Sequence, residues 1–269
     1  VLLTWADEVE RVADRVGEGW DAVRLRVMFH TSARALSWDD VLAPGRALSY
    51  ALLEVGAPAL GTVLHQSGWG PHGMVPFGYG APVFPTARRQ RGVYSAGGPG
   101  VLELGSPLLE VVEGWAVALA RMPVLAWGAT AFIVDRVEVV EAPDCSSGRA
   151  RFRTATPVVM KSSGRGSGGS DPPRGEWRLP GEAEWDVYMQ GNLRRKAETL
   201  GLPTDVVLEK VSWVGPKRSF AVGGAGGPGG KKPGACVEIE VSGDPRTLSA
   251  VHSWGLGQAN AAGMGWIDA

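Results

Sequence analysis

The order of elements along this chain predicts an α+β protein made of two tandem ferredoxin-like units, and three observations carry that prediction. Val23, Leu25, Val27 and Phe29 alternate with Arg24, Arg26 and Met28, the period of a strand with one buried face. Residues 108–120 place Leu109, Val112, Trp115 and Leu119 on one face of a helix. Residues 131–140, Ala-Phe-Ile-Val-Asp-Arg-Val-Glu-Val-Val, are rich in β-branched residues and read as a strand. Between them, 45–55 reads as a short helix and 57–65 as a second one ending at His65. Residues 67–85, punctuated by Gly68, Gly70, Pro71, Gly73, Pro76 and Gly78, read as loop and short strand. Residues 91–105 suggest a hairpin turning at Gly97–Gly100. Strand, helix, strand pair, helix, strand is the split βαβ pattern.

The second half repeats that order without visible sequence identity. Residues 151–160 are strand-like, 182–200 helical, and 206–214 with 236–241 form a candidate strand pair. A short helix over 244–254 leads into a glycine loop, and 264–267 closes the sheet. The division expected is an amphipathic helix over 1–20, a first domain over 21–142 and a second over 143–269. In the N-terminal helix Thr4 and Asp7 have capping-box spacing, and Trp5, Val9, Val12, Val16 and Trp20 form an apolar stripe. Residues 162–175 and 223–234 are Gly-, Ser- and Pro-rich and read as hairpin tips, with Lys161, Arg165, Arg174, Lys231 and Lys232 as cations able to meet a phosphate backbone.

The 269 residues are 44% apolar, enough for a substantial core, and contain no apolar run of membrane-spanning length. No basic-then-apolar N-terminus marks a secretory signal. The two cysteines, Cys145 and Cys236, lie far apart, match no metal or redox spacing and fit a reducing cytoplasm. A net charge of −1 argues against broad nonspecific nucleic-acid binding but leaves room for local patches.

The C-terminal stretch Gly255-Leu256-Gly257, then five residues, then Gly263-Met264-Gly265, is the feature most suggestive of a ligand. Glycines open backbone angles closed to other residues, and unpaired N–H groups in such a loop can cup an anion. A glycine-rich turn before a last strand accounts for the same spacing. Among the four histidines, His65 ends a helical segment and opens a glycine-rich stretch. Tyr50 lies fifteen residues earlier, and a helix-turn-helix fold-back brings the two together. His72 lies on the adjoining loop. Histidine gives and takes protons near neutral pH, which makes His65 the candidate for acid–base work, although a lone histidine is commonly structural.

Four stretches, in order, resemble the CRISPR repeat-processing endoribonucleases, the Cas6 family of the repeat-associated (RAMP) superfamily. They are Tyr50 to His65, Phe152-Arg153-Thr154-Ala155-Thr156-Pro157-Val158-Val159, Asn192-Leu193-Arg194-Arg195-Lys196, and the glycine loop. The resemblance implies two ferredoxin-like (RRM-like) domains and metal-independent cleavage of precursor CRISPR RNA within its repeat. It also implies a 2′,3′-cyclic phosphate and a 5′-hydroxyl as products. Implied partners are the repeat RNA, as precursor and mature crRNA, and subunits of a CRISPR effector complex; no membrane is involved.

Within that resemblance no metal or cofactor is called for. His65 carries one of the two proton transfers, as general base in preference to general acid, and Tyr50 orients the 2′-hydroxyl or donates to the leaving oxygen. The family's lysine after the histidine is missing here, since no lysine precedes Lys161. His72 stands near its place, and Arg88, Arg89 and Arg91 are alternatives. The RNA-binding set is Gly255, Gly257, Gly263, Gly265, Arg194, Arg195, Lys196, Arg151 and Arg153, with Arg149 on the same strand face. Trp254 and Trp266, flanking the glycine loop, are candidates for base stacking. The alternatives are a non-catalytic RNA-binding subunit of an effector complex and an unrelated ferredoxin-like protein that binds small anions.

Overall fold

The computed structural model describes residues 23–140, 142–162, 176–182, 184–221 and 231–268. The expected N-terminal helix over 1–20 lies outside them.

The first unit opens with β1 (Val23–Thr31) and a short β2 (Ala35–Leu36), followed by the helices α1 (Ala43–Gly56) and α2 (Pro58–Gln66). After them come β3 (Gly78–Tyr79), β4 (Tyr94–Ser95), β5 (Gly98–Ser106), α3 (Leu109–Leu119), β6 (Val124–Trp127) and β7 (Thr130–Val140). The main sheet runs β3-β5-β1-β7-β6, all neighbours antiparallel, and helices α1 and α3 cover one face. The expected hairpin over 91–105 does not form. β4 pairs with β2, while β5 starts only at Gly98 and lies between β1 and β3. Gly97 and Gly98, both with positive φ, turn the chain from one sheet into the other rather than back on itself.

The second unit contributes β8 (Arg149–Arg153), β9 (Met160–Lys161), β10 (Trp177–Arg178) and α4 (Trp185–Leu200). It continues with β11 (Val207–Val214), β12 (Arg218–Ala221), β13 (Lys231–Gly234), β14 (Val237–Ser242) and α5 (Pro245–Trp254). Its sheet runs β11-β14-β8, and Ile267 bridges to Thr154 on the far side of β8. Both units thus show the ferredoxin-like strand order. Asp244 caps α5 by accepting from the N–H of Arg246, which fixes the helix start at the residue the sequence suggests. Arms of two hairpins, β9–β10 and β12–β13, flank the predicted flexible stretches, so 231–234 is strand rather than tip.

The two units meet across glycine. Gly78 of β3 pairs in register with Gly105 of β5. A Cβ on Gly105 would lie 2.4 Å from the carbonyl oxygen of Ser253, and one on Gly78 2.4 Å from that of Trp254. The end of α5 therefore rests directly on the backbone of the first sheet. This contact explains why Arg24, placed outward by the β1 alternation, is buried. Its guanidinium donates to the carbonyls of Ile267 (2.8 Å) and His252, and stacks 3.9 Å from the ring centre of Trp266. No helix among the described residues is long and apolar enough to cross a membrane.

Candidate functional site

The corner between α1 and α2 sets the first part of the site. Gly56 closes α1, the N–H of Ala57 donates to Leu53 O, and Pro58 starts α2 with a φ suited to a first helical turn. The corner sits on α3 at van der Waals limit: a Cβ on Gly56 would meet the carbonyl oxygen of Gly114 at 1.8 Å. The fold-back brings Tyr50 and His65 together, with ring centres 5.1 Å apart at 75°. Phe77 packs edge-on behind Tyr50 and Trp115 behind Phe77, so the phenol ring has a rigid apolar backing. The Tyr50 hydroxyl reaches the carbonyl of Leu64 at 3.4 Å. Burial raises the Tyr50 pKa above the ordinary phenol value, with Arg46 pulling the other way. The phenol consequently keeps its proton at neutral pH and is a donor. His65 is exposed beside it.

Arg46, one turn before Tyr50, escaped the sequence reading. Its guanidinium carbon lies 5.7 Å from the Tyr50 ring centre. The i, i+4 spacing of Arg46 and Tyr50 was the signal that could have found it. His72, by contrast, takes Glu198 of α4 as its partner, Nε2 to Oε2 2.6 Å, and so ties the Gly68–Gly73 loop to the second unit. The structure gives its contact with Glu198 and not with the Tyr50–His65 pair. Arg88, Arg89 and Arg91 are exposed on the loop before β4.

The glycine loop is a packed element. Gly255, Gly257, Gly263 and Gly265 are buried with φ of 100°, 67°, 78° and 67°, angles that L side chains rarely adopt. The close approaches they permit are internal: a Cβ on Gly265 would lie 1.9 Å from Leu256 O, and one on Gly263 2.7 Å from the Tyr79 ring. Several N–H groups of the loop are spent on the protein itself, Leu256 on Gly265 O, Gly265 on Pro157 O and Trp266 on Thr156 Oγ1. Only Gln258 and Ala259 at its tip are partly exposed.

Three expectations about RNA-contacting side chains change accordingly. Lys196 is fully buried; its Nζ donates to Gly255 O (2.8 Å) and Asn260 Oδ1 (2.6 Å) and sits 4.1 Å from the Trp254 ring centre. A group inside the protein cannot pair with phosphate, so Lys196 supports the loop from beneath. Trp254 and Trp266 are likewise buried, Trp254 donating to Val75 O and Trp266 stacked on Arg24, which leaves neither face open to a base. Arg194 remains exposed and Arg195 half-buried on α4. Arg149, Arg151 and Arg153 do share the exposed face of β8. There Arg151 is paired with Glu238, while Arg153 lies 4.9 Å from the ring centre of the exposed Trp213.

Residues 140–269 match the family model described as CRISPR associated protein Cas6, C-terminal. No curated protein sequence matches the chain. Among solved structures, it superposes on an RAMP protein binding different RNA substrates with a TM-score of 0.74 at 13% identity, covering 91% of this chain and 98% of that one. A Cas6-related protein from Pyrococcus furiosus gives 0.70 at 13% identity, with 92% and 98% covered. A Cas6 product complex gives 0.55 at 17% identity, with 91% and 98% covered. At these identities the likeness is one of fold.

Proposed function

We propose that this chain, whose residues 140–269 match the Cas6 C-terminal family model, is a member of that family and an endoribonuclease cutting precursor CRISPR RNA within the repeat. The observation that carries the reading is the Tyr50–His65 pair, an exposed imidazole 5.1 Å from a phenol that burial keeps protonated. A base and a donor side by side are what transesterification of RNA requires. The 2′-hydroxyl gives its proton to His65 while its oxygen attacks the neighbouring phosphorus. The new 2′-O–P bond closes a 2′,3′-cyclic phosphate as the P–O5′ bond breaks, and O5′ takes a proton to leave as a 5′-hydroxyl. Tyr50 either orients the 2′-hydroxyl or supplies that last proton. Such positioned groups contribute roughly 10²–10⁴-fold each. All the groups in this scheme are side chains, and neither a metal nor a cofactor takes part.

RNA meets the glycine loop at its partly exposed tip, Gln258 and Ala259, while the four glycines hold the loop's shape. Arg194, Arg195 and Arg153 supply further backbone contacts, arginine being suited to phosphate by its planar donors.

The test is incubation of the purified protein with its own repeat RNA in excess EDTA, beside His65→Ala. One discrete cut ending in a cyclic phosphate and missing in the variant supports the reading. Tight binding with no cut by either protein would assign the chain to the non-catalytic subunits instead, and no binding at all would remove RNA from its function.

A further inference from the structure

Arg46, Lys161 and Lys232 converge where the two units meet, and none of them is ion-paired to a carboxylate among the described residues. Each is held by a different part of the chain. Arg46 stands on α1 beside Tyr50. Lys161 ends β9, and the glycine loop clamps its backbone from both sides: its N–H donates to Gln258 Oε1 (3.1 Å) and its carbonyl accepts from Gln258 Nε2 (3.2 Å). Its ammonium lies 5.7 Å from the ring centre of Trp177. Lys232 stands on β13 opposite Phe220 of β12. Trp177 and Phe220, the neighbours of the two lysines, pack against a core cluster that holds Leu42 and Leu48 of the first unit as well as Val159. β10 packs on β13, and β12 on the turn Trp38–Asp40 just before α1, which sets both lysines near the start of α1.

Arg46 and Lys161 each act on the charge of Lys232. The Lys232 pKa is lowered first by burial, then by Arg46, then by Lys161. Like charges gathered in a half-buried place cost stability in the free protein, and an anion lying among them removes that cost. The expected cation after the histidine is absent from this chain, and the neighbour that the structure puts at Tyr50 in its stead is Arg46.

We propose that Arg46, Lys161 and Lys232 form one phosphate-binding site that seats the backbone of single-stranded RNA beside Tyr50 and His65. The site rests on the endoribonuclease reading and extends it. Arg46 meets the phosphate under attack, where its fixed charge opposes the negative charge gained in the phosphorane. Lys161 and Lys232 hold phosphates next to it. Because Lys161 is fastened to Gln258, the loop and the reacting centre are linked through one residue.

Repeat RNA binding measured against salt separates this from a structural role. Each phosphate contact contributes about 0.7 to the slope of log K against log salt for a single strand. Lys161→Ala and Lys232→Ala should each lower that slope by about 0.7, and the arginine variants Lys161→Arg and Lys232→Arg should restore it. Arg46→Ala should slow single-turnover cleavage by roughly 10²-fold at saturating enzyme. Wild-type slopes and rates in all three alanine variants, with the wild type cutting and His65→Ala inert, would overturn the site and leave the endoribonuclease reading standing. If the wild type does not cut, that reading falls, and the site is judged on a single-stranded RNA of unrelated sequence. There the same losses of slope sustain it, while unaltered slopes or no binding overturn it.

Discussion

The ammonium of Lys196 donates to the backbone carbonyl of Gly255 at 2.8 Å, joining the middle of α4 to the first glycine of the C-terminal loop. Asn260 completes the arrangement: it accepts from Lys196 through Oδ1 and donates through Nδ2 to Leu256 O (2.9 Å) and Met264 O (2.8 Å). One buried cation and one amide thus satisfy the polar groups that a loop with so many positive φ angles leaves unpaired. Burial holds the Lys196 pKa well below the ordinary lysine value, so the side chain makes these bonds at a desolvation cost.

Replacing Lys196 by methionine keeps most of the volume and removes both donors. The carbonyl of Gly255 and Oδ1 of Asn260 are then buried without partners, each costing about 1–3 kcal/mol. Loss of about 2–4 kcal/mol in urea unfolding is expected, offset in part by relief of the buried charge. A variant as stable as the wild type would mean that the lysine is not needed to hold the loop.

Gly56→Ala tests whether the α1–α2 corner positions the reacting pair. Its Cβ would lie 1.8 Å from Gly114 O, a backbone atom of α3 that cannot move by rotamer change. Either α1 and α3 separate or the corner shifts, at a cost of about 1–3 kcal/mol. Because Tyr50 and His65 lie on the two arms of that corner, cleavage should fall by more than repeat binding does. Equal losses of the two would place the effect in global stability.

Tyr50→Phe removes only the hydroxyl, and the ring keeps its contacts with Phe77 and His65. If the phenol donates in the reaction, the single-turnover rate drops by roughly 10²-fold or more while thermal stability changes little. An unchanged rate would leave Tyr50 as packing for His65.

Much of the fold was legible because strands and helices with one buried face carry a period. Val23, Leu25, Val27 and Phe29 are the inward face of β1, and the alternation at Arg149, Arg151 and Arg153 sets the outer face of β8. The Tyr50–His65 meeting was legible too, since Ala57-Pro58 is a strong break between two helical segments. What the pattern could not show was which outward faces are covered by the other unit. Arg24, Lys196, Trp254 and Trp266 all read as surface or ligand-facing residues, and each is buried where the two units or the glycine loop close over it. The glycines misled for the same reason. The close approaches that Gly263 and Gly265 allow are by the Tyr79 ring and by Leu256 O, not by a ligand. Arg46 and Lys232 are almost two hundred residues apart in the chain, and no local pattern reports a pair at that separation.

His252 gives the fold a defined weakness in acid. It is buried at the end of α5 beside Phe152, its Nδ1 without a hydrogen-bond partner, and Arg24 donates to its carbonyl. Burial, then the nearby Arg24 charge, lowers its pKa from 6.5 to about 3. The unfolded chain therefore binds a proton below pH 6.5 that the folded chain refuses until about pH 3. With more protons on the unfolded state, stability rises with pH across that window and is lost as pH falls from 6.5 towards 3. The slope approaches about 1.4 kcal/mol per pH unit for this one group. Carboxylates titrate in the lower part of the same window in any variant, so the informative quantity is a difference. Urea unfolding of the wild type and of His252→Gln at several pH values between 7 and 4.5 should show the variant losing less stability on acidification. Parallel curves would mean that the folded protein takes up the proton at His252 as readily as the unfolded chain, and that this histidine is not held neutral.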